Sequence, residues 1–403
     1  MRILMIAPMP PQPQPSNGVP LVTLALLHGL SQHHDVTLAT LAGPDVAEHQ
    51  AVQQLTNEGF RVHAVLRHAG QQRVQIGLRM AGSVLGGTEP LRSGWYWDAR
   101  FQRLITQLLT TNNFDIVQLD DNALGAYTFA TQRPIVMTEH EVRRPRPINW
   151  RALRTAGLMP GIWREEQWRR WAGYQRRVWR RAQRLVVFTE EDAQAMTGIL
   201  PAIASRVRVN PFGLVLPGQA NPTLEVPNTL LFVGGYSHYP NCDAAIWLAR
   251  EIMPLVRSLR PGVQLRLIGD APPPELQALA SDDVIVAGRV PQIEPWIERA
   301  SLVLAPVRIG GGMRTKVLQA MAMGKSVVST SLGAQGLQRS VPPPLAIANT
   351  AMDMANIIVR LLEDAEQRQR LGQQARAFVQ QYHSAEAYAQ RMEYIYSELL
   401  AMP

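Results

Sequence analysis

A chain of 403 residues is longer than one typical core and suits two domains. Its 46% hydrophobic and 18% charged content excludes a disordered or low-complexity chain. A net charge of +8 leaves nucleic acid, an anionic membrane or anionic small molecules as partner classes, and the one cysteine, Cys242, excludes an internal disulfide and fits a reducing compartment.

The first nine residues, MRILMIAPM, are too short for a signal-peptide core and run into a Pro-rich loop, so they read as a buried first strand. Further strands are expected at 35–39, 61–65, 116–119, 135–138 and 185–189, with helical patterns between them. Such alternation argues for parallel α/β architecture, in which ligands lie outside the carboxyl ends of the strands. No apolar run approaches the ~20 residues of a spanning helix, so a cytoplasmic protein, not integral to a membrane, is expected. Zinc-ligand spacing, a basic tail and RNA-binding aromatics are all lacking, which argues against nucleic acid.

Two strand ends carry candidate chemistry. Thr138-Glu139-His140-Glu141 closes one of them, where His140 can orient a hydroxyl or shuttle a proton. Glu139 and Glu141 are acceptor-side candidates that the sequence does not separate. Asp120, with Asp121, closes the preceding strand; it is a further candidate, although solvated or helix-capping acids are the plainer reading. Gly18, in SNGV after the first strand, is either a turn glycine or a phosphate contact.

Residues 150–184 hold five tryptophans and ten arginines. On a helix Trp168, Trp171, Val178, Trp179 and Ala182 share one face. This pattern suits a membrane interface, but an apolar stripe is more often core, and a core-facing helix with a solvated arginine face is the favoured reading.

A Pro/Asn-rich stretch at 216–228 reads as an interdomain linker. After it, strands are expected at 230–233, 264–268, 284–286, 302–305 and 327–330. The most informative segment is 308–337, RIGGGMRTKVLQAMAMGKSVVSTSLGAQGL. Three glycines, Gly310, Gly311 and Gly312, lead through Met313 into Arg314 and Lys316, then a helix ended by Gly324 and a short strand. Glycines let backbone approach a ligand, and the first N–H groups of a helix have no intrahelical partners, so this is a phosphate-holding arrangement. Of the 40 Lys and Arg residues only two are lysines, Lys316 and Lys325, both in this segment. The chain ends in helices, the last running over 384–400 with Tyr388, Met392, Ile395 and Leu399 at helical spacing.

Taken in order, these motifs resemble the GT-B glycosyltransferases, and among them the retaining family 4, also called glycosyl transferases group 1. The resemblance rests on RILMIAPMPPQPQPSNGVP, LVVFTEEDAQAM, LLFVGGYSHYPNCDAAIWLAREIMP, LRLIGDAPPPELQAL and VIVAGRVPQIEPWIERASLVLAPVRIGGGMRTKVLQAMAMGKSVVST. It implies an α/β fold of two Rossmann-like domains with a cleft between them. On this view 1–215 would bind the acceptor, 216–383 would bind the donor, and a helix at 384–403 would cross back to the first domain. The implied activity is transfer of a sugar from a nucleotide-diphosphate sugar to a saccharide or lipid-linked acceptor, with no metal or other cofactor. The implied setting is cell-surface polysaccharide or glycolipid synthesis at the inner face of the membrane, with segment 150–184 as the peripheral contact.

Carried over residue by residue, the resemblance places His140 near the donor sugar and acceptor. It puts Gly18, Gly235, Arg289, Gly311, Gly312, Met313, Arg314, Lys316 and Gln319 around the donor, with Arg289 near the base. Departures are specific. The family's two glutamates of an E-x7-E motif align with Gly311 and Gln319, and its usual Arg after the first donor-domain strand aligns with Gly235. Arg314 and Lys316 are then the cations left to meet a diphosphate. Two other readings stay open: a nucleotide-sugar epimerase of the same architecture, and a nucleotide-sugar-binding protein without catalysis.

Overall fold

The structure is a computed structural model that describes residues 1–13, 18–67, 90, 96–144, 158–337 and 341–401, with side chains from residue 169 onward in the helix that begins at Leu158. The chain forms two compact units, one of residues 1–15, 19–210 and 389–403 and the other of 16–18 and 211–388.

The first unit is built on seven parallel strands: β1 (Arg2–Ala7), β2 (Asp35–Ala42), β3 (Arg61–Leu66), β4 (Ile116–Asp120), β5 (Ile135–Thr138), β6 (Arg184–Val187) and β7 (Val207–Val209). Their order is β3-β2-β1-β4-β5-β6-β7. The central strands are buried along nearly their whole length while β7 is half-buried, as expected of a sheet covered by helices on both faces and closed by a short edge. The helices are α1 (Val19–Ser31), α2 (Val46–Asn57), α3 (Ala99–Thr111), α4 (Leu158–Trp179) and α5 (Glu190–Ile199). Asp45, Asp98 and Thr189 cap α2, α3 and α5, each side chain accepting from a first-turn N–H.

In α4, Trp171, Tyr174, Val178 and Trp179 are buried, and Ala182 just beyond it is buried too. The described part of the Trp/Arg segment is therefore a core helix; residues 150–157 and the side chain of Trp168 lie outside the described residues. Arg169, Arg176 and Arg177 form its exposed side, and Arg180 and Arg181 are exposed in the turn that follows.

The second unit has six parallel strands: β8 (Thr229–Val233), β9 (Gln264–Ile268), β10 (Val284–Gly288), β11 (Leu302–Ala305), β12 (Val327–Ser329) and β13 (Ala346–Ile347), ordered β10-β9-β8-β11-β12-β13. Helix α6 (Tyr239–Trp247) passes through a π turn at Leu248–Ile252 into α7 (Met253–Leu259). Pro254 has no N–H to offer a carbonyl one turn back, which accounts for the widened turn before it. Then come α8 (Pro274–Gln277), α9 (Glu294–Arg299), α10 (Thr315–Ala322), α11 (Ala351–Glu363), α12 (Ala365–His383) and α13 (Ala385–Leu400).

The 216–228 stretch belongs to the second unit. Ala220 N donates to Met323 O at 2.9 Å, and Arg376 Nη1 donates to Pro217 O at 3.2 Å. On α13, Tyr388, Met392, Ile395 and Leu399 are buried at the expected spacing. Residues 389 onward group with the first unit, where Tyr396 OH donates to Gln118 Oε1 at 2.9 Å and Arg208 Nε to Glu398 Oε2 at 3.0 Å. No helix among the described residues is long and apolar enough to cross a membrane.

Candidate active site

Each sheet reverses its strand order at one point, β1/β4 in the first unit and β8/β11 in the second. Loops diverge there beyond the carboxyl ends of the strands, and ligands settle in the gap.

In the first unit, the parallel register sets Asp120 of β4 beside Thr138 of β5. Side chains alternate along a strand, so His140 returns to the face of Thr138 and meets Asp120. His140 Nε2 lies 2.9 Å from Asp120 Oδ1, with side chains only 7% and 0% exposed. Asp120 Oδ2 receives Thr23 of α1, and Phe188 packs edge-on against the imidazole at 5.1 Å. Burial alone would lower the His140 pKa, but the charge and hydrogen bond of Asp120, with the charge of Asp121 behind them, raise it above the ordinary value. Asp120 thus fixes the Nε2–H tautomer and leaves Nδ1 as the nitrogen that can exchange a proton.

Asp120 is therefore neither solvated nor a cap. That role falls to Asp121, whose carboxylate accepts from Ala123 N at 2.7 Å and whose φ of 105° is unusual for a residue with a Cβ. The two glutamates also separate. Glu139 is buried; Oε1 accepts from Asn122 Nδ2 at 2.5 Å and Oε2 from Trp179 Nε1 at 2.6 Å. Burial first, and then the nearby Asp121, push its pKa well up. Both its oxygens are committed to neighbours, so it braces the strand end, and Glu141, which is exposed and 3.5 Å from Arg143, is the glutamate open to a ligand.

In the second unit, β11 runs into the glycine segment and α10. Gly310 and Gly312 have φ of 95° and 79°, values that side chains resist. A Cβ at Gly310 would lie 3.2 Å from Pro240 Cγ and 3.4 Å from Arg314 Nη2, so the guanidinium lies against the glycine backbone. Among the described residues no side chain caps α10, which Arg314 begins in an extended conformation. Gly311 is exposed, while Met313, Arg314 and Lys316 are half-buried. Burial lowers the Lys316 pKa, with the charge of Glu294 opposing it.

Gln319, one turn into α10, is 8% exposed, and its Oε1 has no hydrogen-bond partner among the described residues. Gln335, in the turn after β12, was not foreseen from the sequence. Its Oε1 is also buried without a partner and lies 3.9 Å from where a Gly311 Cβ would stand. A buried acceptor left unpaired is costly, so both amides suit a ligand's hydroxyl groups.

Gly18 groups with this unit, and a Cβ there would lie 3.1 Å from Thr315 Cγ2 at the start of α10. Gly235 leaves open space beside it after β8. Arg289 is exposed beyond β10. The second lysine has a different setting. Lys325 is buried on the floor of a pocket of about 110 Å³ beyond the other end of α10. Glu225 meets Lys325 Nζ at 3.3 Å and Arg368 Nη2 at 2.9 Å there, so Lys325 holds the 216–228 stretch in place and Lys316 is the lysine beside the glycine loop. Among the described residues no group of three or more His, Cys, Asp or Glu side chains is arranged to hold a metal ion.

Comparison with known proteins bears on the family and the fold. Residues 16–215 match the family described as Glycosyltransferase Family 4, and residues 227–364 match Glycosyl transferases group 1. A Klebsiella pneumoniae protein described as an uncharacterized 44.6 kDa protein in the cps region is 24% identical over 165 residues, a match covering 39% of this chain and 42% of that protein. Among solved structures, HepE from Anabaena, crystallised with UDP and glucose, superposes with a TM-score of 0.66 at 16% identity, covering 99% of this chain and 100% of that one. TarM superposes with a TM-score of 0.66 at 9% identity, covering 98% of each chain. A glycosyltransferase from Rickettsia africae gives 0.61 at 13% identity over 100% and 99%. The two family matches together take in most of the sequence, and with the two parallel sheets they identify the chain as a GT-B glycosyltransferase of the group 1 and family 4 type.

Proposed function

We propose that the chain transfers a sugar from a nucleoside-diphosphate sugar to a saccharide or lipid-linked acceptor, with retention and without a metal, in building a cell-surface polysaccharide or glycolipid. The observation that carries this is the join of the glycine segment to α10, which no described side chain caps, with Arg314 and Lys316 beside it. As the glycosidic bond to the diphosphate breaks, negative charge grows on the leaving phosphate. Fixed cations and backbone N–H groups that need not reorganise stabilise it. Arg314 suits bidentate contact with phosphate oxygens and Lys316 acts as a point charge. Gln319 and Gln335 accept hydroxyls of the donor.

On the acceptor side, Asp120 holds His140 so that the imidazole orients the acceptor hydroxyl. In a front-face attack the acceptor's proton passes to the leaving phosphate, and Glu141 contributes at the rim. No enzymatic nucleophile is assigned. The exposed arginines of α4, Arg169, Arg176 and Arg177 among them, suit the anionic headgroups that would surround a lipid-linked acceptor. UDP in the HepE complexes makes a uridine diphosphate sugar the first donor to test.

The test is thermal stabilisation by UDP, GDP, dTDP and ADP sugars, followed by hydrolysis of the stabilising sugar without acceptor. Ligand at a hundredfold excess over Kd adds about 2.7 kcal/mol of stability. A shift with one nucleotide class and slow hydrolysis of its sugar is the expected result. Binding without hydrolysis or transfer would favour a non-catalytic nucleotide-sugar-binding protein, a reading that Gly311 and Gln319, at the positions of the family's glutamates, support. Interconversion of the donor without acceptor would mark an epimerase, and no shift with any nucleotide would remove the donor-site reading.

A further inference from the structure

The glycine segment is fastened to α6, and the fastening lies outside the groups assigned to the ligand. Pro240, Asp243 and Trp247 recur at three- and four-residue steps, so they share one face of α6. Arg308, two residues before Gly310, reaches this face. Its Nε donates to Asp243 Oδ2 at 3.1 Å and its Nη2 to Asp243 Oδ1 at 2.8 Å, a two-point guanidinium–carboxylate pair. The guanidinium also stands 4.7 Å over the Trp247 ring, a cation–π distance. Trp247 is itself held, its Nε1 donating to Glu251 Oε2 at 3.0 Å. Two residues on, Gly310 faces both Pro240 and the Arg314 guanidinium, which lie 3.2 and 3.4 Å from where its Cβ would stand. One helix face therefore sets the path of the segment at two points, residues 308 and 310, and the second point is where the Arg314 guanidinium lies.

We propose that Asp243 and Arg308 form a clasp that positions the phosphate-binding segment, so that they act on the donor diphosphate through the backbone of 309–313 and through Arg314 without touching it. The proposal rests on the donor-site reading and adds two positioning residues to it. An ion pair this exposed, 40% for Arg308 and 19% for Asp243, contributes little to global stability. Its loss should loosen a local segment and leave the fold intact, because local opening is governed by local contacts.

The test uses the full chain with Asp243→Ala and the exchanged pair Asp243→Arg/Arg308→Asp. Two quantities are read: backbone hydrogen exchange at 309–313 and Kd for UDP, GDP, dTDP and ADP. In Asp243→Ala we expect exchange at 309–313 to quicken about tenfold. The tightest diphosphate should weaken by about tenfold, a modest misplacement of binding groups. The thermal midpoint should stay near that of the wild type, and the exchanged pair should recover both exchange and affinity. Unchanged exchange in Asp243→Ala overturns the clasp. Recovery of exchange without recovery of affinity also overturns it, since Arg308 would then touch the diphosphate itself. A wild-type chain that binds none of the four diphosphates sinks the donor-site reading alone, and hydrogen exchange then decides the clasp unaided.

Discussion

The two strand-order reversals are built on opposite plans. In the first unit the polar groups largely satisfy one another: Asp120 holds His140 and Thr23, and Glu139 holds Asn122 and Trp179. In the second unit acceptors are held in reserve: the Oε1 atoms of Gln319 and Gln335 are buried without partners among the described residues, and the glycine segment presents backbone in conformations only glycine enters readily. A closed network fixes the orientation and tautomer of one group, while an open one carries a standing cost that a ligand removes. That contrast fits an acceptor side that must aim a hydroxyl and a donor side that must neutralise a charged leaving group.

The contrast can be broken by substitution. The largest effect is expected from Arg314→Ala, which should lower donor turnover about a hundredfold, the scale of losing one preorganised stabilising group. Wild-type turnover in that variant would remove Arg314 from the site. Next comes Asp120→Asn, which should lower kcat by about tenfold or more while leaving nucleotide affinity unchanged, since it disturbs only the orientation and protonation of His140. A loss of nucleotide affinity of the same size would deny the division between the two units.

Lys316→Met removes a charge that burial disfavours. It should raise the thermal midpoint of the unliganded protein yet weaken diphosphate binding several-fold, about 1 kcal/mol. A variant with both properties unchanged would make Lys316 a bystander. The network in the first unit should also show in the pH dependence of stability. Because the folded His140 pKa is raised, its imidazolium stabilises the fold fully below the ordinary value of 6.5, and that contribution is lost as pH rises through the raised value. The gap in thermal midpoint between wild type and His140→Asn should thus be widest below pH 6.5 and close above it; a gap independent of pH would mean that His140 acts by packing alone. The smallest change is expected from Gln319→Glu. A charged acceptor is stronger by a factor of about two, so donor binding should tighten slightly. Weaker binding would show that Gln319 does not face a ligand hydroxyl.

Much of this was legible in the residues, and the gaps have physical causes. Strands such as 135–138 and 264–268 announce themselves, the first as a short apolar run after Pro134 and the second by apolar alternation at Leu265 and Leu267 before Gly269. β7 and β13 were not foreseen. Val207–Val209 and Ala346–Ile347 are too short to show a period and take their conformation from the neighbouring strand. The glycine segment and its cations were readable because a phosphate site is local in sequence. The partner of His140 was not, because Asp120 stands 20 residues away and meets it only through the β4–β5 register. Nor could Glu139 be told from Glu141, which depends on the face each takes once the strand has ended. The arginine-rich helix was readable as amphipathic, and burial of Trp171 and Trp179 settles which way its described part faces.

The unequal settings of the two lysines have a practical consequence. In a chain whose other 38 basic side chains are arginines, amine-selective reagents have only the amino terminus, Lys316 and Lys325 to find. Burial lowers the pKa of both amines, but Lys325 is buried and paired with Glu225, whereas Lys316 is half-buried beside the glycine loop. Acylation at Lys316, followed by mass, would then report occupancy of the proposed donor site directly. Any nucleotide that shields Lys316 would reveal itself without a known acceptor or an assay of turnover.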